Sequence, residues 1–200
     1  MPTLVLDPRW PDMIPVALTR RIAGPVQYTP EVPECARAWR HEDGAEWVVT
    51  TLDRPGIRVP SLDDPVRQAV SVMHAARIRG EWEHSMTHES LVAYLQEESI
   101  ELSDAIVNRH PDSELKKELS DVLLQVLFHA EIAAERGAFT FDDVAAAFVA
   151  KMRSRAPYLF DGSTGPVDVA TQDRLWAEGK AREAQEVLEA QEAGGWRALG

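Results

Sequence analysis

The sequence predicts an all-α protein, an antiparallel helical bundle carrying a proline-rich N-terminal arm. Three observations lead there. Ten of the thirteen prolines fall within the first 65 residues, where they fix φ and remove backbone donors, so long helices are excluded from that stretch. From Ser61 onward the apolar residues recur with a helical period in five stretches, each bounded by capping residues, glycine or proline. The connections between the second, third and fourth stretches are about three to eight residues long, which implies antiparallel neighbours. The organisation expected is an arm or small subdomain over 1–60, a helical domain over 61–193 and a tail over 194–200.

The elements follow in order. Within the arm, short extended pieces are expected at Thr3–Leu6 and Trp47–Leu52. Ser61-Leu-Asp-Asp64 reads as a capping-box start, and Pro65 suits a first helical turn. That helix should run to about Ile78 and stop at Gly80. A second begins near Thr87, where a hydroxyl can cap it, and continues to about Asn108. Pro111 lies just beyond, and Asp112 is placed to cap a third helix that ends at Gly137. Phe139-Thr-Phe-Asp-Asp143 leads into a fourth, halted before Pro157 at about Arg155. After a Gly/Ser/Pro loop at 161–166, a fifth helix spans roughly Ala170–Ala193, and no internal repeat is visible.

Composition narrows the function. A formal net charge of −12 argues against a nucleic-acid binder, because neutralising phosphates takes clustered Lys and Arg. It leaves room for a phosphate-bearing small molecule, since a bound metal inverts the local sign of charge. The single cysteine, Cys35, rules out an intrachain disulfide and a cysteine zinc cage. There is no basic stretch followed by an apolar run at the N-terminus and no long uninterrupted apolar segment. A cytoplasmic protein without membrane attachment is expected.

The chemistry concentrates in the second and third helices. Leu91, Leu95, Leu102 and Ile106 form one apolar stripe, with Glu97, Glu98, Glu101 and Asp104 on the adjacent face. On the third helix Leu115, Leu119, Val122, Val126 and Ala130 mark the expected core stripe, with Glu118, Asp121 and Gln125 beside it. Carboxylates at i and i+3 repel, and desolvation at the edge of a core adds to that cost. A hard divalent cation resolves both problems, because Mg²⁺ prefers oxygen ligands. A solvated acidic face is the plain alternative, and two pairs on consecutive helices make it the weaker one.

Gln96-Glu-Glu-Ser-Ile-Glu101 fits EExxE and Glu118-Leu-Ser-Asp121 fits ExxD. Together they resemble the paired motif of the MazG-like all-α nucleoside triphosphate pyrophosphohydrolases. Trp82 through Leu91, Asp121 through Ala130, and Phe139 on to Lys151 and Arg155-Ala-Pro157 resemble the same family, so the similarity covers roughly residues 63–182. The proline-rich start, with Leu6-Asp-Pro-Arg9, resembles its actinobacterial branch. One departure is clear: two arginines followed by His-Pro-His are common in the family, and here the stretch reads Arg153-Ser-Arg155-Ala-Pro-Tyr158.

The resemblance implies Mg²⁺-dependent hydrolysis of (deoxy)nucleoside triphosphates to monophosphate and pyrophosphate, with Mn²⁺ a possible substitute, in the removal of aberrant nucleotides. By motif position, Glu98 and Glu101 are implied as metal ligands from one helix and Glu118 and Asp121 from the next. Glu97 is a motif residue that could bind metal or serve as base. Lys151 and Arg155 share a face at i and i+4, and Arg can bind phosphate bidentately; each could equally be a surface charge. Trp176 and Lys180 repeat that spacing and match a Trp…Lys element of the family, with Trp176 stacking or simply packing. A bundle of the MazG type completed by a second subunit, hence a homodimer or higher homo-oligomer, is implied as well. The alternative from another class is a non-catalytic regulatory module that binds a nucleotide or partner. His84 and His88 have the i, i+4 spacing of a zinc pair but lack the intervening Glu of HExxH.

Overall fold

A computed structural model describes residues 1–195, with side chains through residue 191. The chain divides into two compact units, Met1–Met86 and Thr87–Gly200. Residues 196–200, most of the expected tail, lie outside the described residues.

The first unit corrects the expectation of an all-α chain, because residues 1–60 build a sheet. Strands β1 (Thr3–Val5), β2 (Val26–Tyr28), β3 (Trp47–Thr50) and β4 (Ile57–Arg58) form a four-stranded sheet in the order β2-β3-β1-β4. Every pairing is parallel, with Leu4 facing Val49 on one side and Ile57 on the other. The prolines sit in the connections and never inside a strand, as a backbone that must donate to its neighbours requires. Two of the strands fall on the extended pieces expected at Thr3 and Trp47; β2 and β4, of three and two residues, were not foreseen. Parallel strands are covered on both faces, so they read as apolar runs without alternation. Leu4, Val5, Val26 and Val49 are accordingly all fully buried, and Ile22, Val32, Val59 and Leu62 extend the same core.

Polar anchors finish the strand ends. Asp7, just past β1, is buried and takes a hydrogen bond from Arg9 Nη2 at 3.1 Å. Burial alone would raise its carboxyl, but Arg9 and Ser61 outweigh it and hold the group below the usual range. Glu31 likewise resists the upward pull of desolvation: hydrogen bonds from Thr29 and Thr50 hold it down to about 2. A short helix α1 (Val16–Thr19) lies between β1 and β2. Helix α2 (Pro65–Arg79) is capped by Asp64, which accepts from Val66 N at 3.2 Å, so the helix starts one turn later than Ser61. Residues 60–63 form a 3₁₀ turn instead. A five-residue helix α3 (Glu81–Ser85) follows, and the buried Arg77 guanidinium ties the turn by donating to the carbonyls of Glu83, His84 and Met86.

Among its described residues the second unit has helices and no strand: α4 (Val92–Val107), α5 (Asp112–Glu135), α6 (Phe141–Arg155) and α7 (Val169–Gly195). Thr87 and Ser90 exchange side-chain hydrogen bonds ahead of α4. Asp112 does not cap α5, because it lies inside the first turn and Pro111 occupies the cap. A full capping box, Thr140 with Asp143, opens α6. Arg109, at φ 53°, turns the chain between α4 and α5, and His110 N closes back on Ala105 O at 2.9 Å.

The expected core stripe of α5 holds only in part: Ala130 is buried and Leu115 and Val122 are half-buried, but around Leu119 and Val126 the facing shifts by one residue, or about 100°. Glu118 and Gln125 are buried at 3% and 4% exposure, whereas Leu119 of the expected core stripe is 52% exposed. Leu91 at the N-cap of α4 and Ala105 within it are buried, while Ile106 stands 57% exposed. The acidic stripe therefore faces inward, and an apolar row of Ile106, Leu119, Leu123 and Leu124 faces out.

Candidate active site

Helices α4 and α5 run antiparallel through the short turn at Asn108–Pro111, so the pair Glu98/Glu101 meets the pair Glu118/Asp121. Glu98, Glu118 and Asp121 each place a carboxylate oxygen within 4.8 Å of the other two. Glu118 is the buried member, and its two oxygens differ. Oε1 accepts from Lys117 Nζ at 2.8 Å, whereas Oε2 is buried with no hydrogen-bond partner. The buried Gln125 Oε1 on the same stripe also lacks one. Burial raises the Glu98 carboxyl, and the charges of Asp121, Glu101, Glu97 and Glu118 add to the rise. Glu118 moves the other way because the Lys117 ammonium beside it favours the carboxylate.

Lys117 also lies 3.8 Å from both Glu114 and Asp121, so a single ammonium faces three carboxylates. A converging all-oxygen donor set with an unsatisfied buried acceptor suits a hard divalent cation. Glu101 is exposed and lines a cavity of about 320 Å³ with Glu118, Asp104, His110 and Glu114. Glu97 is exposed and lies outside the three-carboxylate cluster.

The basic residues singled out from the sequence gather on α6 and α7. Arg155 is half-buried, and its fork is already engaged: Nε and Nη2 donate to the Glu183 carboxylate at 3.1 and 2.6 Å. That hydrogen bond drives the Glu183 carboxyl down to about 2. The Arg155 guanidinium also sits over the Trp176 ring, 5.2 Å from its centre. Lys151 is exposed along a groove of about 620 Å³ that it shares with Arg153, Arg155, Arg182 and Glu183. Lys180 is exposed one turn past Trp176 and lines neither this groove nor the smaller cavity of about 170 Å³ beside Trp176. The structure thus joins Arg155 with Trp176, puts Lys151 in the same groove as Arg155 and leaves Lys180 apart. Among the described residues no ion pair or hydrogen bond links these four to Glu98, Glu118 or Asp121.

Close approach of the two helices depends on Gly179. A Cβ there would lie 2.7 Å from Ser154 O and 2.9 Å from Arg155 Cα, so only glycine lets α7 come this near to α6. Arg182 Nη2 then reaches Ser154 O at 2.7 Å, one turn farther along.

Comparison with known proteins accounts for both units. Residues 86–160 match the family model of the MazG nucleotide pyrophosphohydrolase domain, and residues 1–59 match that of the MazG N-terminal domain. The chain belongs to the MazG family. A nucleoside triphosphate pyrophosphohydrolase of Mycolicibacterium smegmatis is 36% identical over 206 residues, covering 92% of this chain and 63% of that protein. Its Mycobacterium tuberculosis counterpart is also 36% identical, over 92% of this chain and 62% of its own length. The chain therefore spans slightly under two thirds of these two actinobacterial relatives. A nucleoside triphosphate pyrophosphohydrolase/pyrophosphatase MazG of Thermotoga maritima is 48% identical over 49% of this chain and 39% of that protein. A crystal structure of a MazG-related protein from Thermotoga maritima superposes with a TM-score of 0.50 at 19% identity, over 57% of this chain and 97% of that one. That likeness concerns the fold alone.

Several groups of this MazG chain escaped the sequence reading. Glu114 and Lys117 belong to the acidic cluster's surroundings, and Glu114 was detectable as the residue one turn before Glu118. His88 and His129 form a further contact. Their Nδ1 atoms lie 2.8 Å apart and the rings stack at 5.1 Å, linking the turn before α4 to the C-terminal half of α5. Burial and the neighbouring His88 lower His129. Residues 41 positions apart carry no local signal of such a contact.

Proposed function

We propose that this chain is a divalent-metal-dependent nucleoside triphosphate pyrophosphohydrolase, releasing a nucleoside monophosphate and pyrophosphate. The observation that carries the reading is the convergence of Glu98, Glu118 and Asp121 around a buried carboxylate oxygen without a donor. These three hold the cation, with Glu101 added from the cavity wall; the donors suit Mg²⁺, and Mn²⁺ as a substitute. When bound, the ion neutralises phosphate oxygens and acidifies a coordinated water. Glu97, exposed beside Glu98, takes the proton of the attacking water. Lys151, exposed in the α6–α7 groove, attracts the triphosphate, and Arg155 turns to it by exchanging Glu183 for a phosphate. Trp176 offers a stacking face for the base, and Lys180 adds a positive charge one turn away.

The printed names of the relatives and the match of residues 86–160 to the pyrophosphohydrolase domain support this reading. The outward apolar row on α4 and α5 supports a homodimer that covers it. Among the described residues no helix is long and apolar enough to cross a membrane, in keeping with a cytoplasmic enzyme that clears aberrant nucleotides.

The test is release of pyrophosphate and monophosphate from a panel of canonical and oxidised triphosphates, with and without Mg²⁺, with Glu101→Gln alongside. Metal-dependent release that vanishes in the variant establishes the reaction. A folded protein that binds Mg²⁺ and releases nothing from any triphosphate refutes it in favour of a regulatory module.

A further inference from the structure

The sheet of the first unit has a reversal in its strand order. The chain leaves β1 toward β2, two places to one side, comes back to β3 beside β1, and then passes to β4 on the other side of β1. In open parallel sheets, ligands bind outside the carboxyl ends of the strands where the connections diverge in this way. A cavity of about 360 Å³ lies at this place, within the ~300–1,000 Å³ range of small-molecule sites. Val5, Thr51 and Arg58 wall it from the strand ends, Leu62 extends the wall from the 3₁₀ turn, and Arg67 and Ser71 face them from the first turns of α2.

The charges in this cavity do not balance. Arg58 is occupied by Asp53, with Asp63 3.9 Å away, so its charge is answered within the protein. Arg67 is not answered. Its Nε is buried with no hydrogen-bond partner, and no hydrogen bond or ion pair involves Arg67 among the described residues. A guanidinium offers donors in a fixed planar fork that matches the oxygens of carboxylate or phosphate. An enclosed donor of this kind without an acceptor is uncommon in native proteins and calls for a missing partner. Besides the two arginines and Asp53, which is engaged by Arg58, the wall mixes the polar Thr51, Gln68 and Ser71 with apolar residues such as Val5 and Leu62. Such a wall suits a ligand with one anionic group and a compact apolar or planar body.

We propose that the first unit is a binding module for a small anionic ligand, seated at the carboxyl edge of the β1/β3/β4 sheet with its anionic group on Arg67. Phosphate and carboxylate share the recognising chemistry, and the experiment separates them. Full-length protein with uniformly ¹⁵N-labelled arginine is titrated with inorganic phosphate in one arm and benzoate in the other, both with a chelator present so that no metal occupies the carboxylate cluster. The readout is the Nε–Hε resonance of Arg67, assigned by its loss in Arg67→Gln. Binding to the wild type is measured in parallel by calorimetry. A saturable shift of the Arg67 resonance, with affinity at least tenfold weaker in Arg67→Gln, supports the site; the arm that produces it names the anion class. Arg67→Lys keeps the charge without the fork and is expected to fall between the two. The proposal is overturned if neither probe moves the Arg67 resonance, or if Arg67→Gln or Arg67→Lys binds as tightly as wild type. The readout is independent of triphosphate hydrolysis, so failure here leaves the function proposed for the second unit untouched.

Discussion

Replacing Gly179 by alanine sets two effects of comparable size against each other. In an exposed helical position, Gly→Ala gains about 1 kcal/mol, because alanine restricts the unfolded chain and favours the helix. At Gly179 the added methyl would stand 2.7 Å from Ser154 O, roughly 0.7 Å inside the 3.4 Å at which ordinary contact begins. Arg155 Cα at 2.9 Å blocks a second direction, so the clash is with backbone that does not rotate away. Overpacking of this kind costs about 1–3 kcal/mol. Taking the middle of that range, Gly179→Ala should destabilise the helical unit by about 1 kcal/mol, or about 4–8 °C in midpoint.

Ala177→Gly, at an exposed position on the same helix, calibrates propensity alone and should also lose about 1 kcal/mol. The assay is thermal and urea unfolding followed by helical circular dichroism. With the proposed activity in hand, Gly179→Ala should raise KM more than it lowers kcat, since it shifts Arg155 and leaves the carboxylates in place. A gain near the propensity value would show that α7 does not approach α6 this closely, and the packing account of Arg155 would fall with it.

Other expectations follow from the same geometry. Glu118→Gln should weaken Mg²⁺ binding by about 100-fold or more, read as loss of the metal-dependent rise in melting temperature; an unchanged rise would remove Glu118 from the ligand set. Leu91→Ala, at a position 1% exposed, should cost about 2–5 kcal/mol in urea unfolding, and a loss under 1 kcal/mol would contradict the burial. Glu31 is held down to about 2 from an ordinary 4.5, so its contribution is complete above about pH 4.5 and disappears as pH falls toward 2. Glu31→Gln should therefore be less stable than wild type at neutral pH and lose less on acidification, in pH-dependent melting curves. His129 is also lowered, from 6.5, so the helical unit should keep its full stability above pH 6.5 and lose part of it as pH falls through the depressed value. Melting midpoints with no such decline in a protein that keeps His129 would count against the His88–His129 contact.

The sequence made α2, α4, α5, α6 and α7 legible because their stop signals are local: Gly80, Pro111, Gly137 and Pro157 each sit where a helix ends or just beyond; the five-residue α3 was too short to show. The convergence of Glu98, Glu118 and Asp121 was legible through spacing, since i and i+3 positions share a face whatever the helix packs against. The facing of α5 was not. Hydrophobic periodicity assigns Leu119 to the core because it does not know which apolar surface packs within the chain and which stays exposed. Nor was the sheet. Strands of two to four residues are too short for a periodic signal, and prolines that exclude helix are silent about parallel pairing between residues some 50 positions apart. The state of Arg155 was equally hidden, because its partner Glu183 lies 28 residues away on another helix.

The position of β1 in its sheet bears on how the chain is made. Thr3–Val5 leaves the ribosome well before the segments it pairs with, residues 48–50 and 57–58. At about 5–20 residues per second, roughly 3–11 s pass after β1 before both can be present. During that interval a short apolar strand has two open edges and nothing of its own to pair with, the condition that invites association between nascent chains. The helices of the second unit meet no such delay, because α4 finds α5 directly after it in the chain. A strand made early is thus completed late, and a holding factor matters most while the residues between β1 and β4 are being made.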